Sequence, residues 1–494
     1  MTMKRLGLFA AALLAGCCGV NIGTEERRPA AVEEGFVSLF NGKDLSGWTG
    51  AKEVFSVELE KTRLNNGTWL ITPVLASRPE IAYTGSGRAN LCTEKSYRNF
   101  ILRFEVQLPK NGDSGLGLRM SDVTQDAAYA AMGEIQLLDD GGDLYYDTTN
   151  KTDRLESWRY AGSLFGVAPA LKDNVDKQIW GKDANFSGGG SYVRNAGVWN
   201  FVEVRVAGDE VEVWMNGICV TRANVAGFKG DGDTLDRQPH PGLHNARGHI
   251  GLLGNNHRVL FKNIRIRELP DDLKSVREAA LPSDEAPDGF TTLFGGKAED
   301  LLANWKGVTT EDGFDNPAIR REAAAVKRKI MQKIADLGMR NHWSVQDGAL
   351  YFDGFAGGYS LATKRDYADF ELWADWRLLS VTGDSGLYLR GAPQVQIWDA
   401  HNQWGIGSGG LFNNQIGAHD ALRIADRPIG DWNRFHVIMR GQRVTVYLNG
   451  VLVTDDVMLE NYWDRSKPIF PKEQLELQCH GDPIEWRNIF IRDL

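Results

Sequence analysis

Apolar and polar residues alternate along much of the chain, which is the pattern of β-strands that bury one face. Over residues 201–206 the three valines share one side of the strand, and a phenylalanine and two charged residues share the other. Many such segments follow one another, separated by short turns. The pattern therefore predicts antiparallel sheets that pack face to face in an all-β sandwich.

Two-residue turns indicate where consecutive strands pair. Gly208-Asp209 separates two alternating segments, and Gly441-Gln442 does the same later in the chain. Asn216-Gly217 and Asn449-Gly450 are stronger signals, because both residues of a type I′ turn need positive φ angles. These four positions predict β-hairpins.

One segment has the period of a helix. Residues 317–337 begin with proline after a capping Asn316 and end before Gly338, which predicts an α-helix inserted at about 316–338. Its apolar residues recur at helical spacing, and we expect them to form the packing face beside a site. They are Ile319, Ala323, Val326, Ile330, Ile334 and Leu337.

Six short segments recur in the same order, which indicates a duplicated domain. The pairs are 36–43 with 290–297, 113–119 with 384–390, 134–139 with 394–399, 199–200 with 432–433, 213–217 with 446–450, and 261–266 with 486–491.

The repeats delimit two complete domains. We place the first at 35–269, a charged and proline-bearing linker at 270–287, and the second, which includes the predicted helix, at 288–494.

The amino terminus has the pattern of an export signal. Lys4 and Arg5 precede an apolar stretch at 6–14, and Leu14-Ala15-Gly16-Cys17 resembles a bacterial lipobox. We expect a signal peptide at 1–16, lipidation at Cys17 and a tether at 17–34. The alternative is an ordinary secretory signal with an incidental cysteine. A lipid anchor would place the protein in the bacterial cell envelope, facing the periplasm or the cell surface.

Composition narrows the partners. The formal net charge is −9 and no basic block stands out, so nucleic acid is not an expected partner. The 15 tryptophans suit an all-β protein that stacks aromatic rings on sugars, although core packing is the more common role of any single tryptophan in a sandwich.

Metal and redox motifs are weak. Cys92, Cys219 and Cys479 form no C-x-x-C pair, and we interpret them as small core residues, with one disulfide left open. The histidines at 240, 244 and 249 lack metal-site spacing, and the G-x-G-x-x-G letters at 405–410 lack a strand-to-helix context. No cofactor is expected, and a structural calcium is the one metal left open.

The ordered motifs resemble the 3-keto-disaccharide hydrolase family, formerly a domain of unknown function. The opening Leu-Phe-Asn-Gly-Lys-Asp-Leu-Ser-Gly-Trp at 39–48, the Asp-Phe-Glu-Leu strand at 369–372 and the end strands at 261–266 and 486–491 carry the resemblance. It implies two tandem concanavalin A-like jelly-roll sandwiches. It also implies cleavage of a glycosidic bond in a sugar oxidised at C3.

Such cleavage needs a base for the C2 hydrogen, an acid for the leaving oxygen and a polar group for the ketone oxygen. We expect catalytic roles for Glu134, Asp139, Asp399 and His480. We expect substrate binding by Arg119, Gln136, Arg390, Gln396 and Trp398.

Each copy has lost part of the pattern. Gln394 replaces the glutamate at the position of Glu134, and the first copy has Asn255 where the second has His480. Either one copy is a non-catalytic binding module, or a single site forms across both. A lectin-like lipoprotein without turnover is the alternative function. An ordinary endo-glucanase ranks lower, because neither copy has a Glu-x-Asp-x-x-Glu strand.

Overall fold

The computed structural model describes residues 33, 35–59, 61–63, 69–71, 79–85, 87–124, 127–147, 152–170, 192–276, 285–381, 383–400 and 407–494. The predicted signal peptide, Cys17 and most of the predicted tether lie outside these residues. In the described part of the chain, no helix is both long and apolar enough to cross a bilayer.

The first sandwich contains a short helix α1 (Ala127–Ala130) and seventeen described strands. The strands are β1 Val37–Ser38, β2 Trp48–Gly50, β3 Phe55–Leu59, β4 Lys61–Arg63, β5 Trp69–Ile71, β6 Pro79–Tyr83, β7 Arg88–Thr93, β8 Phe100–Gln107, β9 Asp113–Met120, β10 Gly133–Leu138, β11 Tyr146–Asp147, β12 Thr152–Asp153, β13 Trp199–Ala207, β14 Glu210–Met215, β15 Ile218–Asn224, β16 His249–Asn255 and β17 Leu260–Glu268.

The second sandwich contains helices α2 (Ala298–Asn304), α3 (Pro317–Glu322) and α4 (Ala325–His342) and thirteen described strands. The strands are β18 Thr291–Phe294, β19 Trp305–Gly307, β20 Trp343–Gln346, β21 Ala349–Asp353, β22 Leu361–Thr363, β23 Phe370–Leu378, β24 Asp384–Leu389, β25 Ala392–Trp398, β26 Asn433–Arg440, β27 Arg443–Leu448, β28 Val451–Met458, β29 Glu476–Leu477 and β30 Pro483–Asp493.

Each sandwich packs an eight-stranded antiparallel sheet on a five-stranded one. The first has β15-β14-β13-β8-β17-β6-β3, with β1 beside β17, over β10-β9-β16-β7-β2. The second repeats this order as β20-β21-β30-β23-β26-β27-β28, with β18 beside β30, over β19-β22-β29-β24-β25. Each sandwich has its own apolar core between its sheets. The predicted fold class, two jelly-roll sandwiches in tandem, is confirmed.

The predicted hairpins form as expected. Gly208-Asp209 joins β13 to β14, and Gly441-Gln442 joins β26 to β27. In the Asn216-Gly217 turn both φ angles are positive, at 49° and 88°, and in Asn449-Gly450 they are 53° and 74°. Such angles belong to type I′ turns, whose twist matches the twist of the flanking strands.

The predicted helix is two helices with a different buried face. Asn316 caps α3 by accepting a hydrogen bond from the Ala318 amide at 2.9 Å, as expected, but the chain is extended at Ala323 and Ala324 and α4 continues through Gly338 to His342. The predicted apolar stripe faces solvent, where Val326 is 70% and Leu337 is 59% exposed. The helix packs instead through Met331, Ala335, Gly338 and Met339.

Buried ion pairs join the two sandwiches. In the second sandwich, Arg423 donates a hydrogen bond from Nε to the Glu105 carboxylate of the first sandwich at 2.9 Å. In the first sandwich, Arg103 donates a hydrogen bond to the Gly450 carbonyl of the second. The Phe201 ring lies between Arg265 and Arg423. The second sandwich therefore covers the polar face of β13. From the alternation in sequence alone, only the valine face of this strand was expected to be buried.

Glu33 belongs to this interface and not to a flexible tether as the sequence suggested. Its carboxylate accepts hydrogen bonds from Arg103 at 3.1 Å, from Arg265 at 2.6 Å and from the Leu452 amide of the second sandwich at 2.8 Å. Burial alone would raise the pKa of Glu33, but the charges of Arg103 and Arg265 outweigh it and hold the pKa at about 2.

The start of the predicted linker packs on the first sandwich. Asn99 donates hydrogen bonds to the carbonyls of Pro270 at 2.7 Å and Leu273 at 2.9 Å, and Val276 is buried. Residues 277–284 lie outside the described part of the chain.

We predict that Arg423→Met destabilises the protein by about 3 kcal/mol, because it leaves the buried Glu105 carboxylate without its main partner. Lys95→Met is the matched control. It removes an exposed pair with Glu268 and should cost less than about 1 kcal/mol. Urea unfolding followed by fluorescence measures both. Equal stability of the two variants would contradict this account of the interface.

Candidate active site

A cleft of about 700 Å³ opens on the outward face of the five-stranded sheet of the first sandwich. Its size lies in the range of small-molecule sites. Aromatic rings of Tyr129 and Phe165 form part of its wall. Its polar lining comprises Glu53, Arg88, Asn90, Asp113, Ser114, Thr124, Glu134, Gln136, Arg159 and Asn255.

Glu134 and Gln136 point into this cleft because they alternate with the core residues Ile135 and Leu137 on β10. Gln136 pairs with Gly115 of β9. A Cβ atom on Gly115 would lie 2.1 Å from Glu134 Oε1, so the Glu134 carboxylate lies directly over this glycine. Glycine at position 115 is therefore required for the position of the carboxylate.

Asp113 stands beside them at the start of β9. Its Oδ2 accepts a hydrogen bond from the Asn255 amide at 2.7 Å, and its Oδ1 accepts one from Gln136 at 3.2 Å. Burial raises the pKa of Asp113, and the hydrogen bond from Asn255 and the charge of Arg159 oppose the rise. The cleft thus holds a carboxyl group that keeps its proton to a higher pH than an exposed aspartate does.

Arg159 supplies a positive charge to the cleft. It ends a short 3₁₀ helix, Ser157–Arg159, and its Nε is buried without a hydrogen-bond partner among the described residues. The neighbouring Trp158 meets Phe165 edge to face at 5.1 Å, and the Phe165 amide bonds the Glu134 carbonyl at 2.8 Å. This loop is therefore fixed to β10 next to the carboxylates.

The second sandwich carries the equivalent positions with other side chains. Gln394 stands for Glu134 and lies over Gly386, while Gln396 donates to Asp384 Oδ1 at 2.7 Å. His480 takes the place of Asn255, and its Nδ1 is 3.5 Å from Asp384 Oδ2. The aspartate and its glutamine partner recur, but the glutamate does not.

Larger side chains also occupy the rest of this face in the second sandwich. Tyr388 pairs with Glu476, whereas the corresponding pair in the first sandwich is Gly117 with Gly251. Burial raises the pKa of Glu476 to about 7. In the first sandwich the Met120 side chain covers both glycines, whereas in the second sandwich larger side chains stand on the strands themselves.

Comparison with known families assigns both sandwiches. A family model described as the 3-keto-alpha-glucoside-1,2-lyase-like domain matches residues 35–267 and 289–492. The chain belongs to this family. Membership gives the protein a carbohydrate-active role, and it confirms the two tandem copies that the sequence resemblance indicated.

A search of curated proteins finds no relative of the chain. Among solved structures, the chain is similar to a proposed glycosyl hydrolase of Parabacteroides distasonis, with 20% identity, a TM-score of 0.34, and 47% of this chain matched to 99% of that one. The carbohydrate-binding module CBM66 of Bacillus subtilis is 12% identical with a TM-score of 0.22, and the match covers 31% of this chain and 91% of the module. β-Agarase B of Zobellia galactanivorans is 10% identical with a TM-score of 0.25, and the match covers 44% of this chain and 98% of the agarase. The family assignment rests on the family model alone.

The two arginines that were expected to bind substrate lie away from the cleft. Arg119 is buried and donates to the carbonyls of Arg98 at 2.7 Å and Gly208 at 2.8 Å. Arg390 is buried and donates to the Pro471 carbonyl at 3.0 Å and to that of Gly441. Each ties the end of a strand to neighbouring loops, so neither guanidinium is available to a ligand in the cleft.

The aspartates that follow β10 and β25 are also buried. Asp139 accepts a hydrogen bond from the Asn111 amide at 2.7 Å, which organises a turn, and it does not line the cleft. Asp399 follows Trp398, whose buried ring contacts Phe412 edge to face at 5.1 Å. These placements favour structural roles for Asp139 and Trp398 over the predicted catalytic and binding roles.

The structure does not bring Glu134 and His480 together. Each belongs to the five-stranded sheet of its own sandwich, whereas the sandwiches meet through β8, β13 and β17 of the other sheet. Of the predicted site residues, Glu134 and Gln136 share the first cleft, and Gln396 and His480 flank Asp384. Sequence reasoning missed Arg159, Phe165 and Tyr129, which lie outside the repeated segments: Tyr129 in α1, Arg159 in a short 3₁₀ helix and Phe165 in the turn that follows it.

The structure shows the surroundings of the cysteines and of His240, for which a disulfide and a metal site were considered. Cys92, Cys219 and Cys479 are free thiols. His240 is buried between the Ala128 carbonyl at 2.9 Å and Asp236 at 3.0 Å. Within the described ranges, no group of three or more His, Cys, Asp or Glu side chains is arranged to hold a metal ion.

Glu476 should make stability depend on pH. Unfolded glutamate has a pKa near 4.5, and burial raises the folded value to about 7, so the contribution of Glu476 to stability is fully present below pH 4.5 and is lost as the pH rises to 7. We predict that Glu476→Gln reduces this fall by up to about 3 kcal/mol, measured by urea unfolding at pH 4.5 and 7.5.

The exposed Glu322→Gln variant is the control and should keep the slope of the wild type. Burial also raises the pKa of Asp426 to about 7, so part of the pH dependence of stability should remain in Glu476→Gln. A Glu476→Gln variant with an unchanged slope would disprove this assignment.

Proposed function

We propose that the first sandwich cleaves 3-keto-glycosides by elimination, with Glu134 as the base that removes the C2 proton. The observation that carries the proposal is the Glu134 carboxylate positioned over Gly115 in a 700 Å³ cleft that also holds the Asp113 carboxyl group and the Arg159 guanidinium. Family membership supports the reaction class.

A ketone at C3 acidifies the hydrogen on C2. Glu134 takes this proton, and the C2–H electrons form the enolate of the C3 ketone. When the enolate collapses, the ketone re-forms, a C1–C2 double bond appears and the C1–oxygen bond breaks. Addition of water to that double bond would complete a net hydrolysis, and without it the reaction is that of a lyase.

Asp113 is suited to protonate the leaving oxygen, because burial raises its pKa and lets it keep a proton. Arg159 is suited to stabilise the negative charge that develops on the C3 oxygen, because its Nε has no other partner among the described residues. Gln136 and Asn255 hold the Asp113 carboxyl from two sides. Phe165 and Tyr129 offer rings to the apolar face of the sugar.

The second sandwich lacks the base in this mechanism. Gln394 cannot accept a proton as a carboxylate does, and Tyr388 and Glu476 replace two glycines on the same face. We therefore assign turnover to the first sandwich and a binding or structural role to the second.

We predict that Glu134→Gln, which copies the residue of the second sandwich, lowers the rate of aglycone release from a 3-keto-glucoside by about 10²–10⁴-fold. His480→Asn, which copies the residue of the first sandwich, should leave the rate within about twofold. The unoxidised glucoside should release no aglycone with either protein. A substrate deuterated at C2 should react more slowly with the wild type.

Full activity in Glu134→Gln, or a rate that depends on His480 alone, would contradict this assignment. Saturable binding of the keto sugar with no release by the wild type would support the lectin-like alternative instead.

We further propose that the protein is a lipoprotein anchored in the bacterial cell envelope through Cys17, on the evidence of the lipobox-like Leu-Ala-Gly-Cys at 14–17. Acyl chains at this cysteine would hold the protein on a membrane surface. The wild type produced in a bacterium should incorporate labelled palmitate and partition into detergent, and Cys17→Ser should do neither. Equal labelling of the two proteins would refute the anchor.

A further inference from the structure

A second cleft, of about 500 Å³, lies in the second sandwich between the helical insertion and the edge strand β19. We call it the insertion cleft. Four cations face it, Lys306 from β19, Arg320 and Arg321 from α3, and Arg328 from α4. Two carboxylates, Asp366 and Glu473, face it as well.

Only part of this positive charge is neutralised. Glu473 forms ion pairs with Arg320 at 3.4 Å and with Arg321 at 2.6 Å. Arg328 donates to the Ala323 carbonyl at 2.6 Å, which holds its guanidinium in place without cancelling its charge. The Lys306 ammonium makes no hydrogen bond or ion pair with any residue that the structure describes.

Lys306 is half-buried, and a charge removed from water without a partner is costly. Burial, with the charge of Arg320, lowers the pKa of Lys306. A ligand that brings negative oxygen atoms would supply the missing partner for Lys306 and for Arg328.

Apolar residues line the insertion cleft beside the charges. They are Val308, Phe314 and Met331. The Gly307 amide bonds Asp336 of α4 at 3.0 Å, and Gln332 of α4 bonds the Gly307 carbonyl at 2.9 Å, so the helix is fixed to the sheet edge. A lining of cations together with apolar side chains suits a pyranose ring that carries an acidic substituent.

We propose that the insertion cleft binds an anionic sugar, with Lys306 and Arg328 contacting its carboxylate or sulfate group. In the first sandwich the position equivalent to Lys306 is Thr49, and no helical insertion follows it. This site is therefore specific to the second sandwich. It is separate from the cleft around Glu134, and it gives the second sandwich a binding role that does not require turnover.

Calorimetric titration tests the proposal with three trisaccharides of one backbone, carrying carboxylate, sulfate or no charge. The charged sugars should bind the wild type, and the stronger of the two identifies the acidic group. Lys306→Met should weaken binding at least tenfold, and Arg328→Gln should also weaken it. Lys329→Met, which removes an exposed charge from the adjacent position of α4, should stay within twofold.

Two further measurements separate the outcomes. Lys306→Met should unfold at the same temperature as the wild type or higher, because it removes an unpaired half-buried charge. Glu134→Gln should bind the charged trisaccharides normally, so that this site can be judged apart from the proposed catalysis. Binding of the neutral sugar as tight as that of the charged ones, or tight binding retained in both Lys306→Met and Arg328→Gln, would overturn the proposal.

Discussion

The carboxylate of Glu33 is buried between the two sandwiches and accepts hydrogen bonds from both of them. Around it, Arg103 pairs with Glu203 at 2.6 Å, and Glu105 pairs with Arg423. Charges buried at this depth are tolerated only when each has its partner, so the geometry of the pairs dictates how the sandwiches dock. The eight-stranded sheet of the first sandwich makes this contact, and the cleft of about 700 Å³ opens on the outward face of its five-stranded sheet.

The two copies diverged most on that outward face. Gly117 and Gly251 in the first sandwich correspond to Tyr388 and Glu476 in the second. The core residues beneath, such as Leu116 and Leu387, stayed apolar. A sheet tolerates large changes in side-chain volume on an outward face because the strand pairing and the core are unaffected. One framework thus carries different side chains on the outward faces of its two copies.

Local chemistry made the strands and turns predictable from the sequence. Alternation identified the core valines of β13, and the positive φ angles that Asn216-Gly217 requires identified a hairpin. The strand and turn predictions succeeded because each depends on neighbours in sequence. The duplicated motifs singled out Glu134, Gln136 and the Asn255–His480 exchange, and the structure places Glu134, Gln136 and Asn255 in one cleft.

Long-range packing accounts for what the sequence did not predict. Arg119 and Arg390 are equivalent in the repeat, but their shared role is to bind loop carbonyls. Periodicity predicted which apolar residues of α4 share a face, but that face does not pack on the sheet. The neighbouring face with Met331 and Ala335 packs on the sheet edge, because small residues allow the helix to approach Gly307 closely. Arg159 and Phe165 come from irregular loops, for which neither period nor repeat gives a signal.

The position of Glu33 also has a mechanical meaning. If Cys17 carries an acyl group, as proposed, 16 peptide units separate it from Glu33, and a fully extended chain of this length spans at most about 55 Å. A pull on that chain would then reach the ion pairs of Glu33 with Arg103 and Arg265 before it reaches β1. The contacts that join the two sandwiches would thus be the first described contacts to resist such a pull.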